Sequence, residues 1–301
     1  MPPVFIEAAI NGAWTRERQP AIPVTVDEIV ADGIAAAEAG AAIIHFHAYD
    51  PSTGRQRDSY EFYAPVIEGI RARCDAIVYP TLPIAGSGYA GDLTPARERY
   101  AHVEQLAKAG LIEWAVVDPG STIFTSFDEV ARGQAGFTYL NPDDHFREGM
   151  RIAAQYNVRP SYAIYEAGCL RLGAATAQAM PDVPTPIYRF MFSDAFCFGY
   201  PPKPVYLDAH LALLDEMSPG APWMVAGLGV DIRPLIEPAI ARGGHIRVGL
   251  EDRPFGVEET NRGLVEEAVK LVRAAGGEPA TPAEVRAACV AADVALSRGR
   301  A

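Results

Sequence analysis

The chain is poor in cysteine, in long apolar runs and in positive charge, and each shortage excludes a class of protein. Four cysteines occur in 301 residues, Cys74, Cys169, Cys197 and Cys289, and no two form a CxxC pair. That spacing matches neither a disulfide framework nor a zinc ribbon; it fits reduced, mostly buried thiols in a cytoplasmic protein. No run approaches the ~20 apolar residues of a membrane span. The first ten residues hold no basic stretch followed by an apolar one, so no secretion signal is expected. Lys and Arg number 26 against 38 Asp and Glu, a formal net charge of −12. That balance argues against non-specific nucleic-acid binding and against a hold on anionic membranes. Low-complexity linkers are absent too.

What is present is an ordinary globular composition, 49% hydrophobic and 21% charged. Its organisation is one repeated alternation. Residues 4–10 read as a first strand, closed by the turn pair Asn11-Gly12. Thr25 and Glu28 form a capping box for a helix over 26–39, and Gly40 stops it. A strand through Ile43, Ile44 and His45 follows, then a helix over 60–73. Six more strands are expected, at 76–79, 114–117, 160–164, 187–192, 223–226 and 245–248. Between them fall helices over 94–109 (with Thr94 as cap), 143–156, 166–179, 205–217 and 232–242, and after them helices near 258–275 and 282–297. Phe124, Phe127, Phe137 and Tyr139 fall in a long loop. Strand-helix alternation implies parallel pairing, and eight units imply a (β/α)8 TIM barrel. We therefore expect a single barrel domain over residues 1–301 with a C-terminal helical extension near 280–298. A doubly wound open sheet is the alternative, but no GxGxxG turn follows the first strand.

The active site of such a barrel lies at the C-terminal ends of its strands. There the polar residues collect: Asn11 and Trp14, His45 and His47, Thr81, Asp118, Ser161, Asp194, and Arg247, Glu251 and Asp252. His45 and His47 are two apart, so in a strand they share a face. Such a pair fits a metal, or two ordinary strand histidines, each bonded to a neighbour. Barrel closure places strand eight beside strand one, so strands eight and two lie about 10 Å apart. A carboxylate from the end of strand eight can then meet the imidazoles, the layout of a catalytic Zn²⁺ or similar divalent site. Glu251 and Asp252 also suit a solvated loop or a helix cap, and Arg247 a structural ion pair with Asp252. Gly86, Gly88 and Gly91 suit either a phosphate approach or a mobile loop, and Phe124 to Tyr139 either a pocket wall or a subunit contact. His102, His145 and His210 fall in helical stretches and are expected at the surface or as caps; His245 is expected to be packed.

Two stretches together point further: IIHFHAYDPSTGR at 43–55 and GGHIRVGLED at 243–252. With AAINGA at 8–13, PSYAIYEAG at 160–168 and WMVAGLG at 223–229, they resemble the β-keto acid cleavage enzymes, typified by 3-keto-5-aminohexanoate cleavage enzyme. The likeness spans nearly the whole chain. It implies a (β/α)8 barrel, commonly a homotetramer, that uses Zn²⁺ to condense a β-keto acid with acetyl-CoA, giving acetoacetate and a new acyl-CoA. By the same resemblance His45, His47 and Glu251 are the metal ligands, with Zn²⁺ or another divalent ion between them. Arg247 and Asp252 are the catalytic pair, Asp252 a base or proton relay. Thr81, Trp14 and Asp118 face the substrate.

The chain also departs from the family pattern. Trp14 stands where the type member has a glutamate that meets its substrate's ammonium, which implies an apolar or aromatic acyl group here. Ser161 and Ala163 replace two acidic residues on strand five, SDAFCFGYPP replaces a glycine-rich loop after strand six, and Asp118-Pro119 replaces a hydroxyl- or amide-bearing stretch. These changes keep open a metal-dependent lyase or hydrolase that does without CoA, and a non-catalytic homologue that keeps only the metal.

Overall fold

The computed structural model describes residues 3–84 and 93–299. Gly86, Gly88 and Gly91 lie outside the described residues. Eight strands form one parallel sheet: β1 (Ile6–Ala9), β2 (Ile43–Phe46), β3 (Ile77–Pro80), β4 (Trp114–Val116), β5 (Arg159–Ile164), β6 (Ile187–Phe192), β7 (Trp223–Gly227) and β8 (His245–Val248). Their order is β3-β2-β1-β8-β7-β6-β5-β4. β3 and β4, the two ends of that order, pack side by side, with the rings of Tyr79 and Trp114 6.0 Å apart, so side chains close the cylinder where no ladder is formed among the described residues. The fold is the expected (β/α)8 barrel.

Local chemistry sets the boundaries. Thr25 and Glu28 form the reciprocal capping box, the helix runs Val26–Ala39, and Gly40 ends it with φ +121°. The helix Asp143–Tyr156 ends on Asn157, the one non-glycine residue with positive φ among those described. Gly249 matters most for the site. Its φ is +141°, and a Cβ there would come within 2.0 Å of the Ala9 carbonyl oxygen. Only glycine lets the chain leave β8 so close to β1, and the next turn then brings Glu251 back, its N–H donating to Ala9 O at 3.2 Å.

Several expectations are corrected. Thr94 is not the cap of its helix: Pro95 holds that position, and the helix breaks at Tyr100 into Ala96–Arg99 and Ala101–Lys108. The long aromatic loop is an antiparallel hairpin, Thr122–Phe124 against Phe137–Tyr139, enclosing a short helix, Phe127–Ala131, under a Ser126/Glu129 capping box. His102, His145 and His210 are buried, not surface residues. His102 Nε2 lies 3.1 Å from Thr81 O, His145 Nδ1 lies 3.4 Å from Arg99, and His210 stacks on Phe190 at 4.6 Å. Helical sequence cannot distinguish a polar ring facing water from one facing the barrel wall. His245 is packed as expected, stacked 3.5 Å from Phe5 and accepting from its N–H. Cys169 and Cys289 are buried thiols, but Cys197 is exposed.

The C-terminal helix, Pro282–Gly299, closes the base of the barrel. Arg286 pairs with Asp75 and Glu113 just before β3 and β4, and Asp293 pairs with Arg159 at the start of β5. Glu278–Pro279 adds a short parallel ladder to Pro3–Val4. No helix among the described residues is long and apolar enough to cross a membrane.

Candidate active site at the barrel mouth

The ladder register brings the candidate residues together. Ala9 pairs with His45, and Glu7 with Arg247, so β1 holds β2 and β8 one strand apart at the same height. His45 ends up buried near the end of β2, and His47 lies one residue past it. Asn11 clasps His47: its Oδ1 accepts from His47 N at 2.8 Å, and its Nδ2 donates to His47 O at 2.9 Å. Glu251 completes the group. Its two oxygens lie 3.5 Å from His45 Nε2 and 3.5 Å from His47 Nε2. Ligand atoms of all three residues fall within 4.8 Å of one another.

These residues fit a divalent metal by their own chemistry. His47 Nε2, His45 Nδ1 and Glu251 Oε2 are buried and lack a hydrogen-bond partner. Buried polar atoms are rarely left so, and His47 Nε2 and Glu251 Oε2, on facing residues, indicate a ligand between them. His47 Nδ1 lies 2.8 Å from Gln56 Oε1, and Gln56 Nε2 donates to both oxygens of Asp58. An N–H on Nδ1 leaves the Nε2 lone pair facing Glu251, the arrangement that orients metal-bound imidazoles. Burial holds the His45 imidazole well below its usual pKa, so it is neutral at pH 7 and able to ligate. Burial alone would protonate Glu251, but the Arg247 guanidinium beside it outweighs that and holds the carboxyl well below the usual range. Glu7, Glu251 and Asp252 converge on Arg247, three carboxyl groups around one guanidinium, an excess that a divalent cation offsets.

Arg247 is fully engaged. Its Nε and Nη2 donate to the two Asp252 oxygens at 2.9 and 2.8 Å, Nη2 also lies 2.8 Å from Glu251 Oε1, and Nη1 reaches Glu7 Oε1 at 3.2 Å. Burial pushes the Asp252 carboxyl up to about 6 against the pull of Arg247. Above these residues opens a cavity of about 330 Å³. Arg247, Glu251, both histidines, Thr81, Trp14 and Asp118 line it, whereas Asp252 sits behind Arg247 and does not.

The far wall is apolar. Met191, Phe196 and Leu228 belong to a small hydrophobic cluster separate from the main core, and Phe124, Tyr165 and Trp14 pack against it. Phe124 and Phe137 come from the hairpin after β4, so that segment walls the pocket. Trp14 is fixed there: its Nε1 donates to Glu251 O at 2.9 Å, and its ring meets Phe255 edge-on at 4.9 Å. The Arg18 guanidinium lies 3.8 Å over Phe255 and 4.9 Å from Trp14. Asp118 is fixed as well, with Oδ1 accepting from Ala163 N at 2.7 Å and Oδ2 from the Tyr139 hydroxyl at 2.9 Å. Burial raises its carboxyl above the usual range, against the pull of Arg189.

Four groups at this site were missed from sequence: Glu7, Tyr79, Arg189 and Gln56. Tyr79 OH donates to Glu7 at 2.8 Å and lies 3.3 Å from Ser161 Oγ, and Arg189 Nη2 donates to Ser161 O at 3.3 Å. The signal was available: Glu7 and Arg189 are charges inside apolar strands, which in a barrel face either the packed helices or the lumen.

Comparison with known proteins identifies the family. The family model for "beta-keto acid cleavage enzyme" matches residues 3–289. A 3-keto-5-aminohexanoate cleavage enzyme from Fusobacterium nucleatum is 31% identical over 293 residues, covering 95% of this chain and 97% of that protein. A 3-dehydrocarnitine:acetyl-CoA trimethylamine transferase from Rhizobium meliloti is 29% identical over 303 residues, covering 94% and 95%. Among solved structures, ObcA in a ternary complex with a C4-CoA adduct and oxalate superposes with a TM-score of 0.71 at 17% identity, over 89% of this chain and 67% of that one, a likeness of fold. That family model spans nearly the whole of this barrel, and this chain belongs to the β-keto acid cleavage enzyme family.

Proposed function

We propose that this protein is a Zn²⁺-dependent acyltransferase that condenses a β-keto acid bearing an apolar side chain with acetyl-CoA, releasing acetoacetate and an acyl-CoA. The observation that carries the metal is the convergence of His45, His47 and Glu251 with buried, unpartnered ligand atoms. Use of acetyl-CoA is carried by family membership and by relatives named for it. The apolar side chain is carried by the wall of Met191, Phe196, Leu228 and Trp14.

The reaction must move one proton and exchange two bonds. C2 of the β-keto acid loses a proton, and the resulting carbanion attacks the acetyl carbonyl and expels the CoA thiolate. The thiolate adds to the C3 keto carbon, and the C2–C3 bond breaks to give the acyl-CoA and the enolate of acetoacetate, whose C2 takes back the proton. A divalent ion held by His45, His47 and Glu251 would supply Lewis acidity at the keto oxygen. Asp252, with a carboxyl near 6, is the proton acceptor. Because it lies behind Arg247, the proton reaches it by a relay rather than by contact with C2. Arg247 holds the Asp252 carboxylate from the cavity side and offsets the oxyanion charge that develops in front of it. Thr81 and Trp14 bound the substrate beside the metal ligands, Asp118 bounds it on the far side, and the aromatic wall excludes water from the acyl end.

The test is acetyl-CoA-dependent acetoacetate release across a panel of β-keto acids, with metal content measured in parallel. Loss of metal and of turnover together in His45→Ala and Glu251→Gln is expected. Turnover without acetyl-CoA refutes the reading and favours the CoA-independent lyase or hydrolase. The same reading takes a cytoplasmic homotetramer as the working form, which light scattering on the purified protein checks.

A further inference from the structure

The guanidinium of Arg189 lies at the bottom of the cavity, 3% exposed, on the third residue of β6. Among the described residues it is poorly satisfied. Nη2 makes one long hydrogen bond to Ser161 O at 3.3 Å, and Nε has no partner. Its nearest carboxylate, Asp118, is 3.6 Å away and is already occupied by Ala163 N and Tyr139 OH. A buried guanidinium offers five N–H groups in a fixed fork, and leaving most of them unanswered costs free energy unless a ligand supplies acceptors. Arg247 differs: it is saturated by three carboxyl groups. Arg18 is exposed and stacked on aromatic rings. Arg189 is therefore the buried lumen cation with donors to spare among the described residues.

Its position identifies what it meets. Ser161 links Arg189 to Tyr79, whose ring lies 4.8 Å from that of His45, so Arg189 faces the metal ligands across the cavity floor. We propose that Arg189 binds the carboxylate of the β-keto acid, taking the oxygen that points away from His45, His47 and Glu251. This inference rests on the reaction proposed above and gives the substrate an orientation in it: carboxylate on Arg189, keto oxygen toward the histidines and Glu251, apolar side chain against Phe196 and Leu228. A carboxylate is the match for a planar guanidinium fork. It is also the one charge shared by every β-keto acid at the reacting end, since a thioester is neutral there and the phosphates of CoA lie at its other end.

The test is equilibrium binding of acetoacetate and of its neutral methyl ester to the metal-loaded enzyme, without acetyl-CoA and so without turnover. The wild type is expected to bind the acid at least tenfold more tightly than the ester. Arg189→Met is expected to lose that preference through weaker acid binding, with ester binding and metal content unchanged. Arg189→Lys retains part of the preference, and millimolar guanidinium restores it to Arg189→Ala. In steady state the loss falls on KM for the β-keto acid and not on KM for acetyl-CoA. A wild type without the preference, an Arg189→Met variant that keeps it, or equal weakening of acid and ester overturns the assignment. The expected binding pattern without acetyl-CoA-dependent turnover leaves Arg189 as the carboxylate site and removes the proposed reaction instead.

Discussion

Replacing Gln56 by Leu is expected to weaken divalent-metal binding at the proposed site without touching any of His45, His47 and Glu251. Gln56 stands between two groups: its Oε1 lies 2.8 Å from His47 Nδ1, and its Nε2 donates to Asp58, which also accepts from Tyr63 OH. That chain holds the imidazole in the tautomer whose Nε2 faces Glu251. Without it the ring can rotate or carry its proton on the ligating nitrogen. Losing such an outer partner typically weakens a metal site by ~10–100-fold, or about 1.4–2.7 kcal/mol. In excess zinc the same factor is lost from metal-dependent stabilisation, lowering the melting temperature of the loaded protein by roughly 2–6 °C. The metal-free protein changes less, because the bond is partly solvated and contributes about 1 kcal/mol or below. The assay is competition with a chelator for affinity, with calorimetry on loaded and stripped protein. Gln56→Glu separates orientation from packing: its carboxylate still accepts from Nδ1–H, so affinity is retained although Asp58 loses a donor. Zinc affinity within twofold of wild type in Gln56→Leu refutes the reasoning.

Three further outcomes follow from the fold. Burial lowers the His210 imidazole from 6.5 to about 4, so the unfolded chain binds a proton that the native state refuses between those values, and stability falls as pH drops through that window. The loss between pH 7 and pH 5 is ~2 kcal/mol from this residue; His210→Phe, which keeps the stacking on Phe190, flattens the pH dependence of the urea midpoint, and an unchanged slope contradicts the assignment. Gly249→Ala forces a methyl group onto the Ala9 carbonyl at positive φ, costing on the order of 2–5 kcal/mol in urea melts and displacing Glu251, so bound metal falls too. Arg159→Met removes the clamp on Asp293 and Thr185; hydrogen exchange is expected to speed up first in the C-terminal helix, and uniform protection across the barrel argues against a separable base.

The parts legible in the sequence are those set by local rules. Thr25, Glu28 and Gly40 carry the whole punctuation of the first helix, and Val26–Ala39 forms between them. His45 and His47 announce a shared face by spacing alone, and the eight-unit count puts Glu251 within reach of them. What escaped depends on three-dimensional neighbours. The Ser126/Glu129 capping box was present but fell within a stretch read as a loop, so the hairpin that walls the cavity was missed. Buried His102 and His210 look like surface histidines until the barrel wall behind them is known. Gln56 is nine residues from His47 in a polar turn, and nothing local marks it as that histidine's partner.

Glu7, Tyr79, Ser161 and Arg189 explain why the two sides of the site differ. Barrel lumens are usually filled by bulky branched side chains. Here β1, β3, β5 and β6 instead contribute a hydrogen-bonded chain across the floor, from Arg247 through Glu7, Tyr79 and Ser161 to Arg189. Such a chain is tolerable only if its members satisfy one another, because each unpaired group in that low-dielectric setting costs about 1–3 kcal/mol. At the Arg247 end the guanidinium is fully engaged, and carboxyl oxygens are in excess, Glu7 Oε2 and Glu251 Oε2 being left without a donor; that end holds the proposed metal ligands. At the Arg189 end they do not: Nε is buried without an acceptor, on a side chain that lines the cavity. One polar layer thus presents carboxylates where a cation belongs and a guanidinium where an anion belongs. Above the guanidinium the wall turns to Met191, Phe196 and Leu228. A ligand that is anionic at one end and apolar at the other, with a carbonyl between, satisfies the floor and the wall together.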